Sequence, residues 1–302
     1  MKSIFAQTTF VLTIALTCAH IAIGQEQPAI PPATAYTYSA YNVTGASNTL
    51  AYAINNSGEI VGYITGGDCA QISDQTSCGF VDAKGTVTVV ACELADATDF
   101  FDVSNTGEVI GAAAFVNSVT GIIWEGNEDC SGVSPSGTDF AEAWGVADGN
   151  IVGYYTASGG NYEGFLLNGT TGVYTNIKCP GFVNTRAYGI NGAGLIVGDV
   201  SSASGPVHGM SYNAGKCTVF DYPKAASTSA KGINKGGTIS GWYTDSSGAF
   251  HGFVKAGTSF TALNYPSATQ TQAYHLNDQG QVAGVYTDTS GADHGFIAHP
   301  KQ

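Results

Sequence analysis

The chain has 302 residues, a formal net charge of −13, and only 10 Lys+Arg against 23 Asp+Glu. So few cations, with Arg186 the sole arginine, exclude a phosphate-backbone reader, because such binding rests on Lys and Arg neutralising phosphates. An anionic membrane surface is excluded on the same ground. The 41 glycines, with 16 Tyr and 14 Phe, point to short strands and many turns.

In chain order, residues 1–24 read as a secretory signal peptide. Lys2 gives the positive start, Phe10 to Ile23 the apolar run, and Ala22-Ile23-Gly24 the small residues of a cleavage site. The run is too short to span a bilayer comfortably, so no membrane insertion is expected after cleavage. Residues 25–35 read as a flexible linker and 36–300 as one domain.

That domain carries one phrase six times: INNSGEIVG to Gly62, VSNTGEVIG to Gly111, VADGNIVG to Gly153, INGAGLIVG to Gly198, INKGGTISG to Gly241 and LNDQGQVAG to Gly284. The steps of 49, 42, 45, 43 and 43 residues mark a repeat architecture. The unit from Ala230 to Pro266 holds four strand-like pieces, at 230–234, 238–244, 251–254 and 260–265. Asn-Lys-Gly-Gly and Asp245-Ser-Ser-Gly248 supply turns between them. Connections this short force antiparallel pairing. The expected fold is all-β, a six-bladed β-propeller of four-stranded antiparallel blades. The last unit lacks a fourth strand, and Tyr38 to Val43 aligns without a gap on Phe260 to Tyr265. The N-terminal strand therefore completes the last blade and closes the ring, whereas a linear solenoid would gain nothing from that permutation.

Six cysteines follow the leader: Cys69, Cys78, Cys92, Cys130, Cys179 and Cys217. An even count in an exported chain predicts disulfides. Cys69 and Cys78 share one loop and are the expected first pair. Repeat register makes 92–130 and 179–217 equivalent pairs, yet opposite ends of a strand lie roughly 17–20 Å apart, too far to bridge. Connectivity beyond Cys69–Cys78 stays open at this stage.

The phrases AYGIN…G.IVG and YTDSSG, with His-Gly-Phe at 251–253 and 294–296 and His-Gly-Met at 208–210, resemble the HAF-repeat family of bacterial extracellular proteins. Cys78-Gly79-Phe80 and Thr120-Gly121-Ile122 depart from the His triplet in the first two units. The resemblance implies export, to the extracellular space or the periplasm, and no established reaction.

Candidate chemistry is sparse. His208, His251 and His294 occupy equivalent places a blade width apart, too far to converge on a metal, and read as packing or hydrogen-bonding residues. His275 and His299 show no partner in the sequence. Asp245 and Asp288 read as turn formers, since calcium-loop spacing is missing. No cofactor or metal is expected. The first-strand residues Tyr52, Phe101, Trp144, Tyr188, Lys231 and Tyr274 read as packing between blades, with an axial aromatic ring as the alternative. One asymmetry suggests a ligand site. The loops after strands 2 and 4 share a rim, and in the first two units they carry Asp68, Asp74, Glu93, Asp96, Asp99, Asp139 and Glu142. The functional expectation is a secreted, non-catalytic binding or structural module for a glycan, a cation or another surface protein. The alternative is a carbohydrate-active hydrolase or lyase using carboxylates of that rim.

Overall fold

The computed structural model describes residues 35–67, 69, 74–126 and 129–301; the expected signal peptide and most of the linker lie outside them, as does Asp68. The described residues form six four-stranded antiparallel sheets. The first blade is β2 (Asn48–Ile54), β3 (Ile60–Thr65), β4 (Cys78–Ala83) and β5 (Thr86–Val90). The second is β6 (Ala97–Val103), β7 (Val109–Phe115), β8 (Ser118–Gly126) and β9 (Asp129–Gly132); the third is β10 (Ala141–Ala147), β11 (Asn150–Thr156), β12 (Tyr162–Leu167) and β13 (Tyr174–Ile177). The fourth is β14 (Asn184–Ile190), β15 (Ile196–Ser201), β16 (Val207–Asn213) and β17 (Lys216–Phe220). The fifth is β18 (Ser227–Ile233), β19 (Ile239–Thr244), β20 (Phe250–Ala256) and β21 (Ser259–Leu263).

The sixth blade joins the two ends of the domain. It consists of β22 (Gln270–Leu276), β23 (Val282–Thr287), β24 (Asp293–Pro300) and, outermost, β1 (Tyr36–Tyr41). β1 pairs antiparallel with β24 in unbroken register from Tyr36↔Pro300 to Tyr41↔Gly295. Tyr38 packs edge-on to Tyr265 and Phe296, so the strand is anchored by side chains as well as by its ladder. The first strands of neighbouring blades contact one another all the way round, which makes them the wall of the axis.

The recurring glycine has a steric cause. In every blade the first strand bulges, between Ala51 and Ala53 in the first and between Ala143 and Gly145 in the third. The bulge turns a first-strand carbonyl onto the second strand. A Cβ on Gly62 would overlap the carbonyl oxygen of Leu50, and one on Gly153 that of Glu142. Only glycine fits opposite the bulge, and the phrase repeats because the collision repeats. The aromatic or aliphatic residue that follows glycine on each third strand fills the gap between blades. Phe80, Phe165, Met210, Phe253 and Phe296 are fully buried there, each contributing roughly 1.5–3 kcal/mol by area burial.

The strands begin earlier than the sequence suggested: the first strand of the fifth unit starts at Ser227, ahead of Ala230. Its buried Thr228 accepts a hydrogen bond from the backbone N–H of Tyr222 (2.9 Å), tying the incoming loop to the blade. Thr49, Thr98, Thr185 and Thr271 repeat that bond.

Three disulfides form: Cys69–Cys78, Cys92–Cys130 and Cys179–Cys217. The last two join successive blades, with Cα–Cα distances of 5.8 and 5.5 Å. The strand-length objection fails because twist accumulates. Each strand turns roughly 20–25° from its neighbour, so a fourth strand lies roughly 60–75° from the first and runs across the axis towards the preceding blade. Replacing Cys179 and Cys217 together by serine should lower stability by about 3–4 kcal/mol, since the bond closes a 38-residue separation. The shift in the guanidinium unfolding midpoint measures it.

Candidate functional site

The axis is plugged, and the plug divides two mouths. Tyr52, Phe101, Trp144, Tyr188 and Tyr274, one from each of five first strands, are buried against one another. Phe101 stacks on Trp144 at 4.1 Å, Trp144 meets Tyr188 edge-on at 4.9 Å, and Tyr52 lies 4.1 Å from Tyr274. The remaining first strand, β18 of the fifth blade, contributes Lys231, whose Nζ sits 3.2 Å from the centre of the Tyr188 ring and 5.0 Å from that of Trp144. Burial lowers its pKa to about 7, against the pull of Asp199 and Glu142. These residues pack between blades, as the first of the two sequence readings has it, and they do so around the axis. Their faces are covered by one another and are closed to a ligand.

On the side of the turns between first and second strands, a cup of about 650 Å³ opens. One aliphatic residue from each first strand makes its wall: Ile54, Val103, Val146, Ile190, Ile233 and Leu276. The next position supplies the lip. Asn191 and Asn234 each use Oδ1 to accept backbone N–H groups of their own turn. Their Nδ2 groups donate to the carbonyl of the next blade, Asn191 to Asn234 at 3.1 Å and Asn234 to Asn277 at 3.2 Å. Asn277 donates likewise to Asn55, and Asn55 to Ser104. One side chain thus closes a turn and clips two blades together.

The clip breaks after the second blade. Ser104 caps its turn but is too short to reach onward. Asp102 replaces it from below, its Oδ2 accepting the N–H of Val146 on the third blade at 2.9 Å. Asp102 and His275 form the floor of the cup, with Nδ1 of His275 3.4 Å from Oδ1 of Asp102. No partner for His275 is legible in the sequence, because Asp102 sits on the second blade and His275 on the sixth, with the first blade between them. His299 also has a partner, Gln281 Nε2 at 3.1 Å from its Nδ1.

The opposite mouth lies on the rim that the acidic loops share. Asp74, Glu93, Asp96 and Asp139 are exposed on those loops. Asp99 and Glu142 instead enter the axis, at the register also held by Arg186. Asp99 accepts a hydrogen bond from Ser77 Oγ at 2.6 Å; burial, with the charge of Glu142, pushes its carboxyl up to about 6. Glu142 Oε2 accepts from Trp144 Nε1 at 2.7 Å and from the Tyr154 hydroxyl at 2.6 Å. Arg186 Nε donates to Asp199 at 2.8 Å.

Each of the repeated histidines is held within its own blade. His208 Nδ1 lies 2.9 Å from Asp221, His251 Nδ1 2.9 Å from Asn264, and His294 Nδ1 3.2 Å from Asn42. Asp245 Oδ1 accepts from Ser247 and Ala249 in its own turn, and Asp288 does the same with Ser290 and Ala292. Both second carboxyl oxygens reach the histidine six residues on. These are turns locked to the third strand.

Neither a protein-family model nor a sequence relative of described function matches the chain. Solved structures do match in shape. AofleA from Arthrobotrys oligospora is 13% identical over 88% of this chain and 89% of its own, with a TM-score of 0.54. TolB from Acinetobacter baumannii is 11% identical, with a TM-score of 0.54; the match covers 85% of this chain and 65% of TolB. The lectin of Aleuria aurantia, described as a six-bladed β-propeller with a novel mode of fucose recognition, is 12% identical with a TM-score of 0.52. That match covers 86% of this chain and 93% of the lectin. The shared feature is the fold. This chain is a six-bladed β-propeller.

Proposed function

We propose that the protein is an exported, non-catalytic binding module that presents its axial cup to a glycan outside the cell or in the periplasm. The observation that carries this reading is the cup itself: a recess of about 650 Å³ with an apolar wall, a polar lip and a sealed base. Small-molecule sites have volumes in that range. Three disulfides fit an oxidising compartment, as do the leader-like residues 1–24 and the resemblance of the units to HAF repeats. The likeness in fold to the Aleuria lectin adds support of a general kind. An array of immobilised glycans probed with the labelled chain tests the reading. Retention on a subset of glycans, recovered unaltered, is expected; no retention on any of them would sink it.

A second reading rests on one specific observation at the opposite mouth. Asp99, with its carboxyl raised to about 6, faces the charge of Glu142, and carboxyls in unlike environments are the equipment of glycoside cleavage. Turnover of chromogenic glycosides by the native protein, lost in Asp99→Asn, would replace the binding module with a hydrolase.

A further inference from the structure

The floor of the cup holds one polar atom that nothing around it satisfies. His275 is buried, and its Nε2 has no hydrogen-bond partner among the described residues. A buried polar atom left unpaired costs about 1–3 kcal/mol. Its neighbours fix what it offers. Asp102 accepts the backbone N–H of Val103 on Oδ1 and that of Val146 on Oδ2, both at 2.9 Å. Burial raises the Asp102 pKa, but His275 and those two N–H groups oppose the rise. Both Asp102 oxygens already accept, and Nδ1 of His275 faces Oδ1 at 3.4 Å, so the imidazole hydrogen belongs on Nδ1. Burial lowers the His275 pKa, with Asp102 resisting and Lys231 assisting. The ring is neutral at pH 7, and its Nε2 presents a bare lone pair.

A ligand that completes this floor must donate a hydrogen bond. Three features narrow its class. Asp148 and Asp278 outnumber Lys235 at the lip, which disfavours an anion. Lys231 acts on His275 from the plug side, which disfavours a cation at the floor. The six aliphatic side chains ask for an apolar face on the ligand. Hydroxyl groups on a ring with one apolar face meet all three demands.

We propose that the cup binds one neutral polyol ring of sugar size, seated on the aliphatic wall with a hydroxyl donated to Nε2 of His275. The proposal rests on the binding-module reading and adds to it a single neutral ring as the ligand and His275 as its contact. Stoichiometry follows from the single axis: one ligand per chain.

Titration calorimetry of the full chain with glucose, galactose, mannose, L-fucose and N-acetylglucosamine tests it. At least one should bind with 1:1 stoichiometry, and glucuronate should bind at least tenfold more weakly than glucose. Ala193 is exposed on the lip, so Ala193→Trp obstructs the mouth without entering the core. That variant should lose binding while keeping its thermal midpoint. His275→Leu should weaken binding at least tenfold; should it misfold, Ala193→Trp still decides. Undiminished affinity in Ala193→Trp, more than one site per chain, or no binding to any of the five sugars would overturn the cup. Retention of Ala193→Trp on the glycan array would then leave a glycan-binding module whose site lies outside the cup, whereas an empty array removes both readings.

Discussion

Replacing Gly153 by alanine should lower the stability of the protein by about 3 kcal/mol, a fall of about 5 °C in thermal midpoint for a domain of this size. The added Cβ would overlap the Glu142 carbonyl oxygen and come within 2.7 Å of the Phe165 ring. Neither neighbour gives way easily: the carbonyl belongs to the bulge, and Phe165 is fully buried between blades. Gly159, in the following loop, makes the control. A Cβ there meets nothing nearer than Asn161 Nδ2 at 3.6 Å, so Gly159→Ala should stay within about 0.5 kcal/mol of the parent. Calorimetric scans of both variants decide the matter. A loss below about 1 kcal/mol at Gly153 would mean that the glycine phrase does not mark a steric necessity.

Lys231→Met should change both the level and the pH dependence of stability. The folded amine has a pKa of about 7 against an ordinary value of 10.5. Between those values the unfolded chain binds the extra proton, so stability rises with pH across that window and is lost as pH falls through it. A shift of this size corresponds to on the order of 5 kcal/mol at most. Contact of the ammonium with the Tyr188 and Trp144 rings offsets about 2 kcal/mol of the burial cost. Methionine keeps the packing and removes the charge, so a gain of about 2 kcal/mol is expected at pH 7. The rise between pH 7 and 10 should disappear with it. Above pH 10 both proteins should lose stability, because Tyr274 and Tyr286 are pushed up to about 12 in the fold. Denaturant midpoints measured from pH 6 to 11 check this. An unchanged slope in Lys231→Met would mean that the amine titrates normally inside the plug.

The blades were legible in the sequence because their demands are local and repeated. A bulge that excludes Cβ puts glycine in each unit, and in four of the six units an Asn-x-x-Gly turn precedes it at fixed spacing. Closure was legible because Tyr38 to Val43 has the pattern of a fourth strand. The pairing of Cys92 with Cys130 followed from register, but accepting it required the twist of the outer strands. The cup was hidden for a different reason. Each of its six wall residues reads as ordinary core, and Asn191 or Asn234 reads as a turn former; only the ring brings them around one axis. His275 and Asp102 are far apart in sequence and meet across the first blade. The acidic loops showed the opposite behaviour: Asp74, Glu93, Asp96 and Asp139 cluster in sequence and lie exposed, while Asp99 and Glu142, of the members described, turn inward.

The most direct test of a binding face on the cup side is backbone hydrogen exchange, with and without a glycan retained on the array. Slowed exchange should appear in the turns at 55–57, 104–106, 191–193, 234–236 and 277–279, with the loops at 92–96 and 134–140 unchanged. Protection confined to those two loops would put the ligand on the acidic rim and contradict the account.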